Sequence, residues 1–264
     1  MVWQQSSLHF ATLTLTLTLE LLSFTPPPTQ AQSQVTPSTQ NSWDVGETSV
    51  YEPPTDIGAP TRTESGSTRP PEKCPKDKEF PNQALTALLP KDPKDPKYIY
   101  LTLTVEERPT FFVYVPQTSA RMGEFILKDD SDKDVYRTNL TLPIGPGIVS
   151  FKLPANAPEL EDKKSYHWFF VIRCNPEERN RDLDVDGWIW RTKLRSSIQN
   201  ELQNTTPRDR VKLYRQYKMW HEALATLADL RLSNPNDSQL AAEWKELLES
   251  AGQGEFAQAP LLNP

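Results

Sequence analysis

Along 84–193 the chain alternates short apolar runs with polar turn signals. The runs fall at 84–89, 98–105, 110–115, 123–128, 135–142, 147–153, 165–174 and 185–192. They are rich in β-branched and aromatic residues, which suit a pleated, half-buried surface. Between them stand Lys91-Asp-Pro-Lys-Asp-Pro96, Asp129-Asp-Ser-Asp-Lys-Asp134, Ile144-Gly-Pro-Gly147 and Pro154-Ala-Asn-Ala-Pro158. Eight short strands with no helical period between them predict an antiparallel β-sandwich. Tyr166, Trp168, Phe170 and Ile172 recur at period 2, as on the core face of a strand. Trp188 and Trp190 repeat that pattern on the next strand, and core packing is expected of them too.

Leu160 stands six residues before Tyr166, which opens a strand. That spacing is similar to the tyrosine corner of immunoglobulin-like and fibronectin-type-III domains. After Lys193 the period becomes helical. Leu194, Ile198 and Leu202 recur every four residues, and Thr206-Pro207 with Asp209 supplies an N-cap, a first-position proline and an acid in the first turn. Val211, Tyr214 and Tyr217 continue one face, followed by Trp220, Ala223, Leu224, Leu227 and Ala228. Asn234-Pro-Asn-Asp237-Ser238 breaks and recaps the chain before Leu240, Ala241, Trp244, Leu247 and Leu248, and Gly252 ends the stripe. The Trp220–Asp237 stretch is similar to half of a tetratricopeptide repeat. One such unit cannot bury its own face, so it should pack on the sandwich or on another chain. The expected fold is thus an immunoglobulin/fibronectin-III-like antiparallel β-sandwich (84–193) with a C-terminal helical hairpin (194–252) and a disordered tail (253–264).

The first third of the chain reads differently. Residues 1–31 carry an apolar stretch from Leu8 to Phe24, then three prolines, then Thr29-Gln30-Ala31 with small residues at the −3 and −1 positions of a cleavage site. This is the layout of a secretory signal peptide, although no Lys or Arg precedes Arg62 and Glu20 interrupts the apolar run. Residues 32–83 are rich in Pro, Ser, Thr, Gln and Gly, too poor in aliphatic side chains to offset the entropy of ordering, and read as a linker. Inside it, the segment from Tyr51 to Arg69 has glycines and arginines placed as if for a specific extended path along an edge strand of the next domain.

Composition narrows the functional classes. The net charge of −6 over 264 residues argues against a nucleic-acid surface. No apolar run reaches the length of a transmembrane helix. Two cysteines, Cys74 and Cys174, suit one disulfide in an exported chain, with two unrelated buried thiols as the alternative.

Several segments together resemble one family. They are Tyr51-x-Pro-Pro-x-Asp-x-Gly58-x-Pro60-x-Arg62, Leu85-Thr-Ala-Leu88-x-Pro90, Pro109-Thr-Phe-Phe112-x-Tyr114-Val-Pro116, Leu153-Pro-Ala-Asn-Ala-Pro158 and Tyr166-His-Trp-Phe-Phe170 with Cys174. Gly187-Trp188-Ile189 and the Trp220–Asp237 unit complete the set. The resemblance is to the domain of unknown function 928 family, exported proteins mainly of cyanobacteria, over about 50–252. It implies an exported protein with a β-rich domain and a short helical tail. It implies no catalytic residue and no cofactor, and Cys74 and Cys174 fall where that family's cysteine pair is expected.

The remaining motifs are weak. Asp130-Ser-Asp132-Lys-Asp134 has calcium-loop spacing but Val135 and Thr141 where the EF-hand needs Gly and Glu, so a polar hairpin turn is the better reading. Asp182, Asp184, Asp186 and Gly187 match the first six positions, but Lys193 stands at the twelfth, and an edge strand fits as well. Glu106-Glu107, Glu177-Glu178 and Asp129-Asp130 are adjacent, and neighbours on a strand point to opposite faces, so they are expected to be solvated. No HExxH, GxSxG, Walker or GxGxxG motif occurs. His167 should face away from Tyr166 and Trp168, and His221 is expected to be exposed on its helix. The sequence therefore points to an exported, non-enzymatic module of the cell envelope whose partner is an envelope protein or glycan. A carbohydrate-binding sandwich and a hydrolase with an unrecognised site are the alternatives. Catalytic, cofactor and metal residues are expected to be none, and the oligomeric state stays open.

Overall fold

The computed structural model describes residues 62–64, 73–77, 84–175 and 177–262. The expected signal peptide and most of the 32–83 linker lie outside the described residues. Within them, the apolar runs become strands nearly where their periodicity places them. In chain order they are β1 (Arg62–Glu64), β2 (Thr86–Ala87), β3 (Tyr98–Tyr100), β4 (Thr102–Thr104), β5 (Thr110–Val115), β6 (Met122–Asp129), β7 (Asp134–Thr141), β8 (Gly147–Lys152), β9 (Ser165–Ile172) and β10 (Leu183–Arg191). Four helices follow, α1 (Ser196–Gln203), α2 (Pro207–Gln216), α3 (Trp220–Ser233) and α4 (Ser238–Ser250), and then β11 (Leu261–Leu262).

One sheet has the order β4-β10-β9-β6-β7 and a second β11-β8-β5-β2, while β1 pairs with β3. The sheets are mixed rather than antiparallel throughout, because β4 runs parallel to β10 and β11 parallel to β8. Both parallel partners are two- or three-residue edge strands that return after a long excursion of the chain, a connection that a hairpin cannot make. The two larger sheets face each other. Phe111 of β5 lies 4.9 Å from Phe125 of β6 and 5.2 Å from Trp168 of β9, and Phe125 lies 4.3 Å from Phe151 of β8. On β10 the inner positions are Leu183, Val185, Gly187 and Ile189, all buried. A Cβ on Gly187 would sit 2.3 Å from Leu89 Cδ1 and 3.0 Å from the Trp168 ring, so only glycine lets the strand approach so closely.

The C-terminal region is four helices rather than one hairpin. Its caps follow the sequence signals: the Thr206 hydroxyl accepts from the Asp209 N–H at the start of α2, and Asp237 accepts from Gln239 and Leu240 N–H at the start of α4. The helices pack on the sheets and share one apolar core with them. Trp220 Nε1 donates to the Leu88 carbonyl at 2.8 Å, and the Gln253 amide donates to the Ala87 and Leu89 carbonyls at 3.2 and 2.8 Å. These bonds satisfy the β2 edge, where a strand only two residues long leaves carbonyls without a ladder partner. The stretch after Gly252, expected as a disordered tail, holds a 3-10 turn at Gly254–Phe256 and then β11. Phe256 packs on Tyr114 with ring centroids 4.6 Å apart, and the Pro260 carbonyl accepts from Ile148 N–H at 2.8 Å.

Two contacts hold the N-terminal segment. Cys74 and Cys174 form a disulfide across 100 positions, with Cys74 buried. Arg62, Thr63 and Glu64 pair with Tyr100, Ile99 and Tyr98, so this part of the Tyr51–Arg69 segment does run along a strand edge.

Candidate functional site

Strand alternation places a second set of side chains on the outer side of the five-stranded sheet. Register aligns them in rows across β6, β9 and β10: Lys128 with His167 and Trp188, then Ile126 with Phe169 and Asp186, then Glu124 with Val171 and Asp184. Trp190 extends the outer row on β10. This corrects the expectation of core packing for Trp188 and Trp190. Both are half-buried on the outer side, whereas Trp168, Trp220 and Trp244 are buried. The inner side of β10 is already filled by Leu183, Val185 and Ile189, and at Gly187 there is no room for a side chain.

At the centre, the His167 ring stacks on Trp188 at 4.4 Å and 13°, and lies 4.1 Å from Phe169. Its Nε2 is 2.6 Å from Asp186 Oδ2, which fixes the ring in that stack. Lys128 Nζ stands 5.8 Å from the Phe169 centroid and donates to Asp132 at 2.7 Å. Asp132 occupies the positive-φ position (63°) of the β6–β7 turn, and the Lys128 hydrogen bond holds its carboxyl below the usual range. Rings, a carboxylate and an ammonium therefore share one partly exposed surface. Such a surface can stack on an apolar ring face and hydrogen-bond the groups around its edge.

One end of this face is a charged cluster. Glu124 is buried, with Arg137, Arg179 and Arg173 nitrogens at 2.7, 2.6 and 3.5 Å. Burial disfavours its ionisation, but the hydrogen bonds from Arg137 and Arg179 prevail and hold its pKa down. Asp182 pairs with Arg173 at 3.0 Å and accepts from Cys174 N–H at 3.2 Å, and burial pushes its carboxyl up despite Arg173.

Those contacts decide the aspartate triad. Asp182, Asp184 and Asp186 lie along an extended strand end, not around a loop. Asp182 is committed to arginine and Asp186 to His167. Among the described residues no group of three His, Cys, Asp or Glu could hold a metal ion. In the other acidic stretch, Asp129 Oδ1 accepts from Ser131 and Lys133 N–H, which makes it a turn. Glu106, Glu107, Glu177 and Glu178 are exposed.

A buried polar pair was not legible in the sequence. His221, expected to be exposed, is buried along with Glu222 where α3 meets β4. His221 Nδ1 is 3.0 Å from the Thr110 carbonyl, which can only accept, so Nδ1 carries the proton. Nε2 lies 2.8 Å from the Thr102 hydroxyl. Glu222 Oε1 accepts from the Thr104 hydroxyl at 2.5 Å, Val105 N–H at 2.8 Å and Glu106 N–H at 3.2 Å. Burial lowers the His221 pKa to about 4, which keeps the ring neutral, and raises that of Glu222 against the hydrogen bonds from Thr104 and Val105. The one available signal was Thr102 and Thr104, polar residues at period 2 in an apolar run.

No described helix is long and apolar enough to cross a membrane. A family model described as Domain of Unknown Function (DUF928) matches residues 64–261. No curated protein matches the chain.

Proposed function

Because the chain belongs to the DUF928 family, a domain of unknown function, it inherits no assigned activity, and we propose that it is an exported, non-enzymatic module of the cell envelope that binds a glycan chain. The observation that carries this reading is the placement of Trp188, Trp190, Phe169 and His167 on one partly exposed side of the five-stranded sheet. Sugar rings offer C–H faces that stack on aromatic rings, while their hydroxyls donate to flanking carboxylates and accept from flanking ammonium groups. Asp186 and Lys128 stand in the flanking positions.

The fold we propose is an immunoglobulin-like sandwich, supported by the Tyr166 hydroxyl accepting from Glu161 N–H at 2.9 Å beside the buried Leu160. The α3–α4 pair is then a repeat-like unit used for packing on that sandwich. Export is supported by the Cys74–Cys174 disulfide, since oxidising compartments are where such bonds persist.

The test is a titration of purified protein with envelope oligosaccharides, run beside Trp188→Ala. Losing one stacked ring removes about 1 kcal/mol, a roughly fivefold weaker affinity. The thermal midpoint should hardly move, because Trp188 lies outside the core. If no oligosaccharide binds, or if the variant binds like the parent, the reading fails.

A further inference from the structure

A cleft of about 550 Å³ opens between the ends of β4 and β10 and the helices α1 and α2. It shares no residue with the aromatic face. Its charged lining is Arg191 and Lys193 at the end of β10, Arg210 of α2 and Glu106 after β4. Among the lining residues three cations stand against one carboxylate, with Glu107 and Asp162 at the margin beside Arg191 and Lys193.

The cations are held in different ways. The Arg191 side chain is only 6% exposed, and its buried Nε has no hydrogen-bond partner among the described residues. One of its terminal nitrogens donates to the Thr192 carbonyl, and the other lies 3.8 Å from exposed Glu107, a loose contact. Arg210 donates from Nε to the Leu202 and Thr205 carbonyls at the C-terminal end of α1, at 3.0 and 3.1 Å. Those bonds fix the guanidinium plane, and its terminal nitrogens meet no carboxylate among the described residues. Lys193 stands at the rim, 70% exposed and 4.0 Å from Asp162.

We propose that this cleft binds a small organic anion, with its carboxylate or phosphate oxygens held by Arg191, Arg210 and Lys193. A planar, pre-oriented guanidinium fork matches oxyanion geometry. The volume is that of a small-molecule site rather than of a single ion. Behind the cleft, Glu222 is buried and turned to the Thr104 hydroxyl and the Val105 and Glu106 amides.

The experiment is calorimetric titration of the full chain with glucose 6-phosphate, glucuronate, inorganic phosphate and glucose. An organic anion should bind while glucose does not. Arg210→Gln should weaken that binding about tenfold, the loss expected for a charge-assisted hydrogen bond. Glu106→Gln should strengthen it about threefold by removing a like charge, a gain that damage to the fold cannot imitate. If Arg210→Gln fails to fold, Lys193→Gln at the exposed rim takes its place and should weaken binding about threefold. The proposal is overturned if neither organic anion binds or if these variants leave the affinity unchanged. It is equally overturned if inorganic phosphate binds as tightly as the organic anions, because the volume would then have no role.

Discussion

Burying a neutral imidazole should write itself into the pH dependence of stability, and His221 is the place to measure it. The ring is fully enclosed, and burial lowers its pKa from the ordinary 6.5 to about 4. In the unfolded chain it takes up a proton below about pH 6.5, whereas the folded chain resists until about pH 4. The unfolded state therefore binds more protons through that window, and stability contributed above pH 6.5 is lost as pH falls toward 4. At 1.36 kcal/mol per pH unit, the loss over the window is about 3 kcal/mol. The perturbation is His221→Gln, which removes the titration and keeps a donor for the Thr110 carbonyl. Urea unfolding followed by tryptophan fluorescence at pH 7, 6, 5 and 4 gives both stabilities. The parent's advantage over the variant should shrink by about 3 kcal/mol between pH 7 and pH 4. Glu222 titrates with the opposite sign, since its raised pKa favours the fold at low pH, but it is common to both proteins and largely cancels. If the difference stays flat, or if NMR titration of the His221 ring gives a midpoint near 6.5, the burial argument is refuted.

Three further outcomes are expected. Cys74→Ser with Cys174→Ser should lower stability by about 4–5 kcal/mol, the entropy of a loop of this length, measured by urea unfolding. The same bond predicts that native protein from a fractionated cell takes up thiol label only after reduction, and the proposed export predicts an intact mass that starts near Gln32. Gly187→Ala should cost about 1–3 kcal/mol and lower the thermal midpoint, because its methyl group meets Leu89 and Trp168 in a filled core. A midpoint equal to the parent's would mean that β10 and β2 separate more easily than their packing suggests.

Most strands were legible because period-2 alternation is a local property. The run at 110–115 became β5 with the same boundaries, and the β6–β7 and β9–β10 segments differ only by a residue or two at most ends. The caps at Thr206 and Asp237 were legible for the same reason, since a cap needs only its own first turn. The short edge strands were harder. β4 and β11 are two or three residues long, and their partners lie far away in sequence, so no local pattern announces parallel pairing.

The amino-acid sequence alone determined which residues share a face, where helices start, and that Cys74 and Cys174 were available to pair. Tertiary structure alone decided which face turned inward. On β10 both sides carry large apolar residues, so alternation separates Trp188 and Trp190 from Val185 and Ile189 without saying which set is covered. The opposing sheet fills the Val185 side, and the tryptophans are left on the outer one. His221 and Glu222 show the same limit on a helix. Nothing within α3 distinguishes a solvated histidine from one sealed against Thr102 and the Thr110 carbonyl. Burial is a property of what packs opposite, and that partner comes from a strand about a hundred residues earlier in the chain.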